Sequence, residues 1–207
     1  MRTLTCIVML SSVLIALTGC GGAKSIKAED RAGIASVSVA DAVKVSEEPM
    51  VIGSEAALGT LFGAIGGAIA ADAEKTSGQE FANFLKTSGI DVGQIVRERF
   101  ADELKAHPFY GSRLAADGEY RFSLKVSSYG INKTNTLSSD WVPNMRIEYQ
   151  LLAPDGKILA QDWAMTMPFS GLPAFTYDEI HANPQLLKDA FREAAGRLSM
   201  KLVKKMG

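Results

Sequence analysis

Few side chains in this sequence are of the types that do chemistry, and their spacing limits what they can do. The chain has 207 residues, with two histidines and two cysteines among them. A histidine serves as general acid, general base or metal ligand only when a partner group converges on it. His107 and His181 each fall at a predicted element boundary, with no second ligand at a suitable spacing. The acidic pairs Glu47–Glu48 and Asp178–Glu179 do not converge either, because adjacent residues share no face of a helix or a strand. There is no Gly-x-Ser-x-Gly nucleophile turn and no His-Glu-x-x-His zinc motif. The expectation is a non-catalytic chain with no metal and no cofactor.

The cysteines have a different use. The first twenty residues read MRTLTCIVMLSSVLIALTGC, with positive charge at Arg2, a mostly apolar run from Leu4 to Ala16 and small residues after it. That run is shorter than the roughly 20 apolar residues that a bilayer span needs. A charged start, a short apolar centre and a small-residue exit describe a secretory signal peptide. Leu17-Thr18-Gly19-Cys20 resembles the lipobox of bacterial lipoproteins. The resemblance implies cleavage between Gly19 and Cys20, a diacylglycerol on the Cys20 sulfur and a further acyl chain on the new amine. Several chains anchor stably where one binds only reversibly. Gly21 is not the aspartate that retains many enterobacterial lipoproteins in the inner membrane, so the implied destination is the outer membrane, facing the periplasm. Cys6 leaves with the signal peptide and Cys20 is acylated, so no thiol remains for a disulfide and the core must hold the fold.

Composition adds bounds. Hydrophobic residues make up 47% and charged ones 22% of the chain, with a formal net charge of −1. These are ordinary globular values, and no basic field invites nucleic acid. The expected organisation is a signal peptide over 1–19, a lipidated cysteine and polar tether over 20–32, and one periplasmic domain over 33–207. A glycine-rich apolar excursion at 56–73 interrupts that domain.

Periodicity gives the elements. Ile34 to Ala40 alternates as a strand, which Val43 and Val45 extend and Glu47-Glu48-Pro49 breaks. A polar helical passage runs through Glu74, Lys75 and Gln79 to Phe81, Phe84 and Leu85. Asp91 caps a helix whose apolar stripe is Val92, Ile95, Val96, Phe100 and Leu104, and His107-Pro108 ends it. Period two follows from Tyr120 to Val126 and again from Met145 to Leu151, and Pro154-Asp155-Gly156-Lys157 turns the chain back through Ile158 to Met167. Asn183 and Pro184 open a final helix with the stripe Leu187, Ala190, Phe191, Ala194, Leu198 and Leu202. The expected fold class is α+β, a mostly antiparallel sheet of a strand and a three-stranded meander, with helices on one face.

The stretch LGTLFGAIGGAIAAD over 58–72 carries no charge before Asp72, and Gly59, Gly63 and Gly67 repeat every four residues with Ala71 next. No Lys-Ser or Lys-Thr directly follows a glycine of the run, so it is no phosphate loop. Residues four apart share a helix face, and small ones let another backbone approach closely. Each glycine costs a helix about 1 kcal/mol, which some contact must offset. Three readings stay open: a tight helix packed on its own domain, a membrane or self-association face, and an apolar loop.

The order strand, helix, meander, helix, with the hairpin Pro154-Asp155-Gly156-Lys157-Ile158-Leu159 and the terminal helix from Asn183-Pro184, resembles a broad class of Gram-negative lipoproteins. That class includes lipoproteins similar to penicillin-binding-protein activators, curli-secretion lipoproteins and auxiliary lipoproteins of lipid-transport systems. The resemblance implies an accessory role through contact with an envelope protein. An alternative is a structural or membrane-active oligomeric subunit that uses the glycine stripe. Expected partners are the membrane, through the acyl chains, an envelope protein and a second copy of the chain, with no nucleic acid. Among the aromatics around the meander, Trp141, Phe169, Phe175 and Tyr177 are candidate partner contacts, although such rings also plug the open end of a sandwich. The loop from Asn132 to Asp140 and the connection from Met167 to Ala182 are the candidate contact surfaces.

Overall fold

A computed structural model of the chain describes residues 22–53, 70–134, 138–167 and 171–206. Gly19, Cys20, Gly59, Gly63, Gly67 and Phe169 lie outside the described residues, and of Ala71 only its place in a helix is described.

The chain starts with α1 (Ala28–Ala32), then the short strands β1 (Val37–Val39), β2 (Lys44–Val45) and β3 (Met50–Ile52). Two helices follow, α2 (Ala70–Thr87) and α3 (Val92–Ala106). The long strands are β4 (Tyr120–Lys133), β5 (Trp141–Leu152) and β6 (Ile158–Met165), and α4 (Tyr177–Ala182) and α5 (Pro184–Lys204) complete the order.

The fold is α+β, but the sheet is mixed. β4, β5 and β6 form the expected antiparallel meander. β1, β2 and β3 instead run parallel to β4, one after another along its outer edge, with Val37 opposite Tyr120, Lys44 opposite Lys125 and Met50 opposite Gly130. The reason lies in the connection. The chain leaves β3 and returns to β4 through α2 and α3, and a long helical crossover delivers its second strand parallel to the first. β3 itself was not expected, since Pro49 reads as a stop. Here Pro49 only precedes the strand, a position proline tolerates at a sheet edge.

The core lies between one face of the sheet and the helices. Phe122, Leu124, Val126, Ile147, Tyr149 and Leu151 point into it, as do the predicted stripes of α3 and α5, all buried. At its centre the Phe122 ring meets Phe100, Tyr110 and Tyr149 at centroid distances of 5.5, 5.4 and 5.9 Å. Edge-to-face pairs of this kind add about 0.5–1.5 kcal/mol each beyond their buried area.

The caps follow the sequence. Asp91 accepts a hydrogen bond from the Gln94 amide at 2.8 Å, and Asn183 accepts one from the Gln185 amide at 3.2 Å. Across the helix pair, Arg192 donates to Glu98 at 3.0 Å and Gln94 donates to its other oxygen at 2.9 Å. These bonds hold the Glu98 carboxyl below the ordinary carboxylate range, with Arg192 the larger cause. Both partners of the ion pair are solvent-accessible, so it locates the helices more than it stabilises them.

Two segments depart from expectation. The tether expected over 20–32 is held to the domain from Gly22 onward. Lys24 exchanges two backbone hydrogen bonds with Gln161 of β6, at 2.7 and 2.9 Å. The Gln161 amide also donates to the Gly22 carbonyl at 3.1 Å. Arg31 of α1 stacks over Phe109 at 4.4 Å. A polar composition does not free a segment when a strand edge offers unpaired backbone groups to it. Secondly, the connection from Met167 to Ala182 contains α4, started by a reciprocal box in which Thr176 and Glu179 cap each other's backbone.

Candidate functional site

Among the described residues, the helices cover one face of the sheet and leave the other uncovered. Along β4 and β5 that face presents Arg121, Ser123, Lys125, Asn144, Arg146, Glu148 and Gln150, the residues that alternate with the core set. β6 adds Trp163 and Met165, which stand opposite Glu148 and Arg146. The Arg146 guanidinium lies 4.2 Å above the Trp163 ring, and its Nε is 3.1 Å from Glu148 as an ion pair outside hydrogen-bond geometry.

A cavity of about 350 Å³ opens at one end of this face. Among the described residues, its origin is a gap in the sheet. β6 ends by passing its backbone to Met145, and the next partner of β5 on that side is Phe175, which exchanges backbone hydrogen bonds with Trp141 at 2.7 and 3.0 Å. Between these two attachments stands Pro143, which has no N–H to offer a strand. The gap is bordered by Ile52, Asn132, Val142, Thr166, Met167 and Leu172. On its wall Asn144 donates to Asn132 at 2.6 Å. On its rim Ile52 and Met167 are 46% and 60% exposed, unusually high for large apolar side chains. An amide pair beside Lys133, Thr134 and Thr166, with Ile52, Met167 and Leu172 in the same lining, suits a polar group flanked by apolar ones, such as a backbone segment with its side chains.

Among the described aromatic candidates, Trp141 takes the second of the two expected places, as a plug at the end of the sandwich. Trp141 is only 2% exposed, and its ring lies against the Gly53 backbone. It fills the end of the core and offers no surface to a partner. Phe175 and Tyr177 are half-buried against the core, and the Tyr177 ring stacks on His181 at 4.2 Å. Of the cavity residues, Asn132 and Met167 are the ends of the two expected contact segments, whereas Asn144 and Thr166 are not among the expected contacts. The available signal was polar asparagine recurring in the strand segments on both sides of the loop.

Both histidines make local contacts. His107 Nδ1 accepts from the amides of Phe109 and Tyr110 at 3.1 and 3.3 Å, closing the turn after α3. Burial, with a smaller push from Arg31, lowers its pKa below the ordinary 6.5. The neutral ring is the form the fold needs, so its stabilisation is full above about pH 6.5 and is lost as pH falls through the lower folded value. Urea midpoints measured from about pH 8 to about pH 5 are expected to fall across that window and to flatten in His107→Gln. Identical slopes in the two proteins would remove His107 as the cause. His181 sits between Phe84 and Tyr177. Among the described residues no group of three or more His, Cys, Asp or Glu could hold a metal ion, and no helix is long and apolar enough to cross a membrane.

No family model matches the chain, and no curated protein does. Solved structures do resemble it. PelC from Paraburkholderia phytofirmans, solved as a dodecamer, is 12% identical over 90% of this chain and 92% of its own, with a TM-score of 0.41. A Xanthomonas campestris protein of the DUF330 family is 12% identical over 81% of each chain, with a TM-score of 0.44. A minor lipoprotein from Acinetobacter baumannii is 13% identical over 54% of this chain and 81% of its own, with a TM-score of 0.36.

Proposed function

We propose that this chain is a lipid-anchored accessory lipoprotein of the Gram-negative envelope, held to the outer membrane at Cys20 and facing the periplasm. It acts by binding a protein partner rather than by catalysis. The anchor reading rests on the lipobox resemblance of Leu17-Thr18-Gly19-Cys20. The binding reading is carried by one observation: the gap in the sheet beside Pro143, with its Asn132–Asn144 pair and exposed apolar rim. Its occupant would be an extended segment of the partner, with backbone groups meeting the amides and side chains meeting Ile52 and Met167.

Photocrosslinking in intact cells tests the binding reading. A crosslinker at Val142 is expected to capture one envelope protein, and a crosslinker at Asp102 on the helix side is not. Asn144→Arg, which fills the cavity and leaves the core untouched, is expected to abolish the Val142 adduct. An equal yield from both positions, or an adduct that survives Asn144→Arg, counts against the site. The anchor is tested separately, since Cys20→Ala is expected to release the protein from the outer-membrane fraction.

A further inference from the structure

The groove along the outer edge of β6 has a composition of its own. It is lined by Trp163, Met165 and Met167 on the strand side and by Lys201 in the last turn of α5 and Lys205 just past its end. Trp163 and Met165 are about two-fifths exposed, at 39% and 41%. Lys204 stands in the same helix turn, and Lys24 crosses the strand to donate to the Ile158 carbonyl. The acid within this groove, Asp162, is already paired with Lys205 at 2.7 Å. The groove therefore joins an exposed tryptophan and two methionines to a lining with one lysine in excess over acid, with Lys204 beside it.

Its place relative to Cys20 gives it an occupant. Lys24 is fastened to Gln161, and Ala23 lines the groove. Three residues of chain separate Lys24 from Cys20, and the four steps between their Cα atoms reach at most about 14 Å. The pairing of Lys24 with β6 is antiparallel, so the chain toward Cys20 heads along β6 in the direction of Met165. A free tether would let any face of the domain meet the bilayer. This short lead confines the acyl chains to the neighbourhood of the β6 edge.

We infer that the β6 edge, through Trp163, Met165, Met167, Lys201 and Lys205, seats the domain on an anionic phospholipid surface. Tryptophan belongs at the headgroup level, methionine reaches the acyl boundary, and lysines bury their stems while meeting lipid phosphates. The inference rests on acylation of Cys20, and it deepens that reading by assigning the face that touches lipid.

The two tryptophans provide the readout, because Trp141 is sealed in the core and Trp163 is not. The full acylated protein is reconstituted into phosphatidylethanolamine–phosphatidylglycerol vesicles, with and without brominated acyl chains. The expected result is a blue shift of Trp163, loss of its accessibility to iodide and strong quenching by the brominated lipid. Trp163→Phe, which leaves only Trp141, is expected to lose all three responses. Vesicles without phosphatidylglycerol, or a Lys201→Gln/Lys205→Gln variant, are expected to lose most of the quenching. Acylated, vesicle-bound protein whose Trp163 stays open to iodide overturns the seating and leaves the anchor standing. Trp163 shielded from iodide but untouched by brominated lipid assigns the edge to a protein contact, such as a second copy, and also overturns it. An unmodified Cys20, read from the mass of the N-terminal peptide, overturns both readings.

Discussion

Phe122→Ala is expected to destabilise the domain by about 3–5 kcal/mol, the range for deleting a well-packed buried aromatic ring. Phe122 has no exposed surface, and its ring touches Phe100 from α3, Tyr149 from β5 and Tyr110 from the turn after α3. Truncation would remove three ring contacts and leave a void that the sheet and the helix, each fixed by its own backbone bonds, cannot close. Domains of this size have about 5–15 kcal/mol of total stability, so the loss is a large fraction of it. The expectation that no disulfide backs up the core makes the fraction matter more. Equilibrium urea unfolding at constant m reports the change, and Phe122→Leu, which keeps most of the volume, is expected to recover most of it. A loss below about 1 kcal/mol for the alanine variant would mean the three elements do not meet at this ring.

Gly130→Ala is the second large effect, and its mechanism is backbone approach rather than volume. Gly130 has φ of +151°, and a Cβ there would lie 1.7 Å from the Met50 carbonyl oxygen. An alanine would meet both a disfavoured conformation and the backbone of β3, so the strand must move away. The expected cost is about 2–5 kcal/mol, the sum of conformational strain and overpacking. The damage should be local first. β3 carries the buried Val51 into the core, and Gly53 just after it packs on the Trp141 ring. Amide exchange at Val51 is expected to accelerate before the rest of the sheet, and Trp141 emission, read in a Trp163→Phe background, is expected to shift red. Gly156→Ala is the matched comparison, at φ of +83° in the hairpin turn with nothing within 4 Å of the added carbon. It carries the conformational strain alone, about 1–2 kcal/mol. Equal losses at the two positions would refute the claim that β3 depends on a bare backbone at Gly130.

What was legible in the sequence was local and periodic. The stripes of α3 and α5 are buried as read, because a helix that covers a sheet must repeat apolar residues every three or four positions. The alternation of Tyr120 to Val126 and Met145 to Leu151 sorted core from uncovered face for the same kind of reason. β2 is the extension read from Val43 and Val45, set apart from β1 as its own short strand, while β3 spans three residues, too few for any period to declare itself. The Thr176-x-x-Glu179 start of α4 was a readable signal, masked by its position in a segment taken as connection.

The candidate site was less legible still. Asn132 and Asn144 lie twelve residues apart and become neighbours only because the β4–β5 register sets them diagonally across two strands. Trp141 could be read as a partner contact or as a plug of the sandwich end, and Phe175 and Gly53, which close over it, decide for the plug.

By itself the sequence determined the α+β class, the caps, the meander, the two main helices and the case for an anchor at Cys20. Each of these follows from spacing along the chain or from a short contiguous motif. Only the tertiary structure decided that β1 to β3 run parallel to β4, that the sheet opens beside Pro143 and that the lead from Cys20 is fastened to β6. Those features depend on which backbone hydrogen bonds are left unmade at a strand edge and which distant segment reaches them. No local pattern of side chains records that.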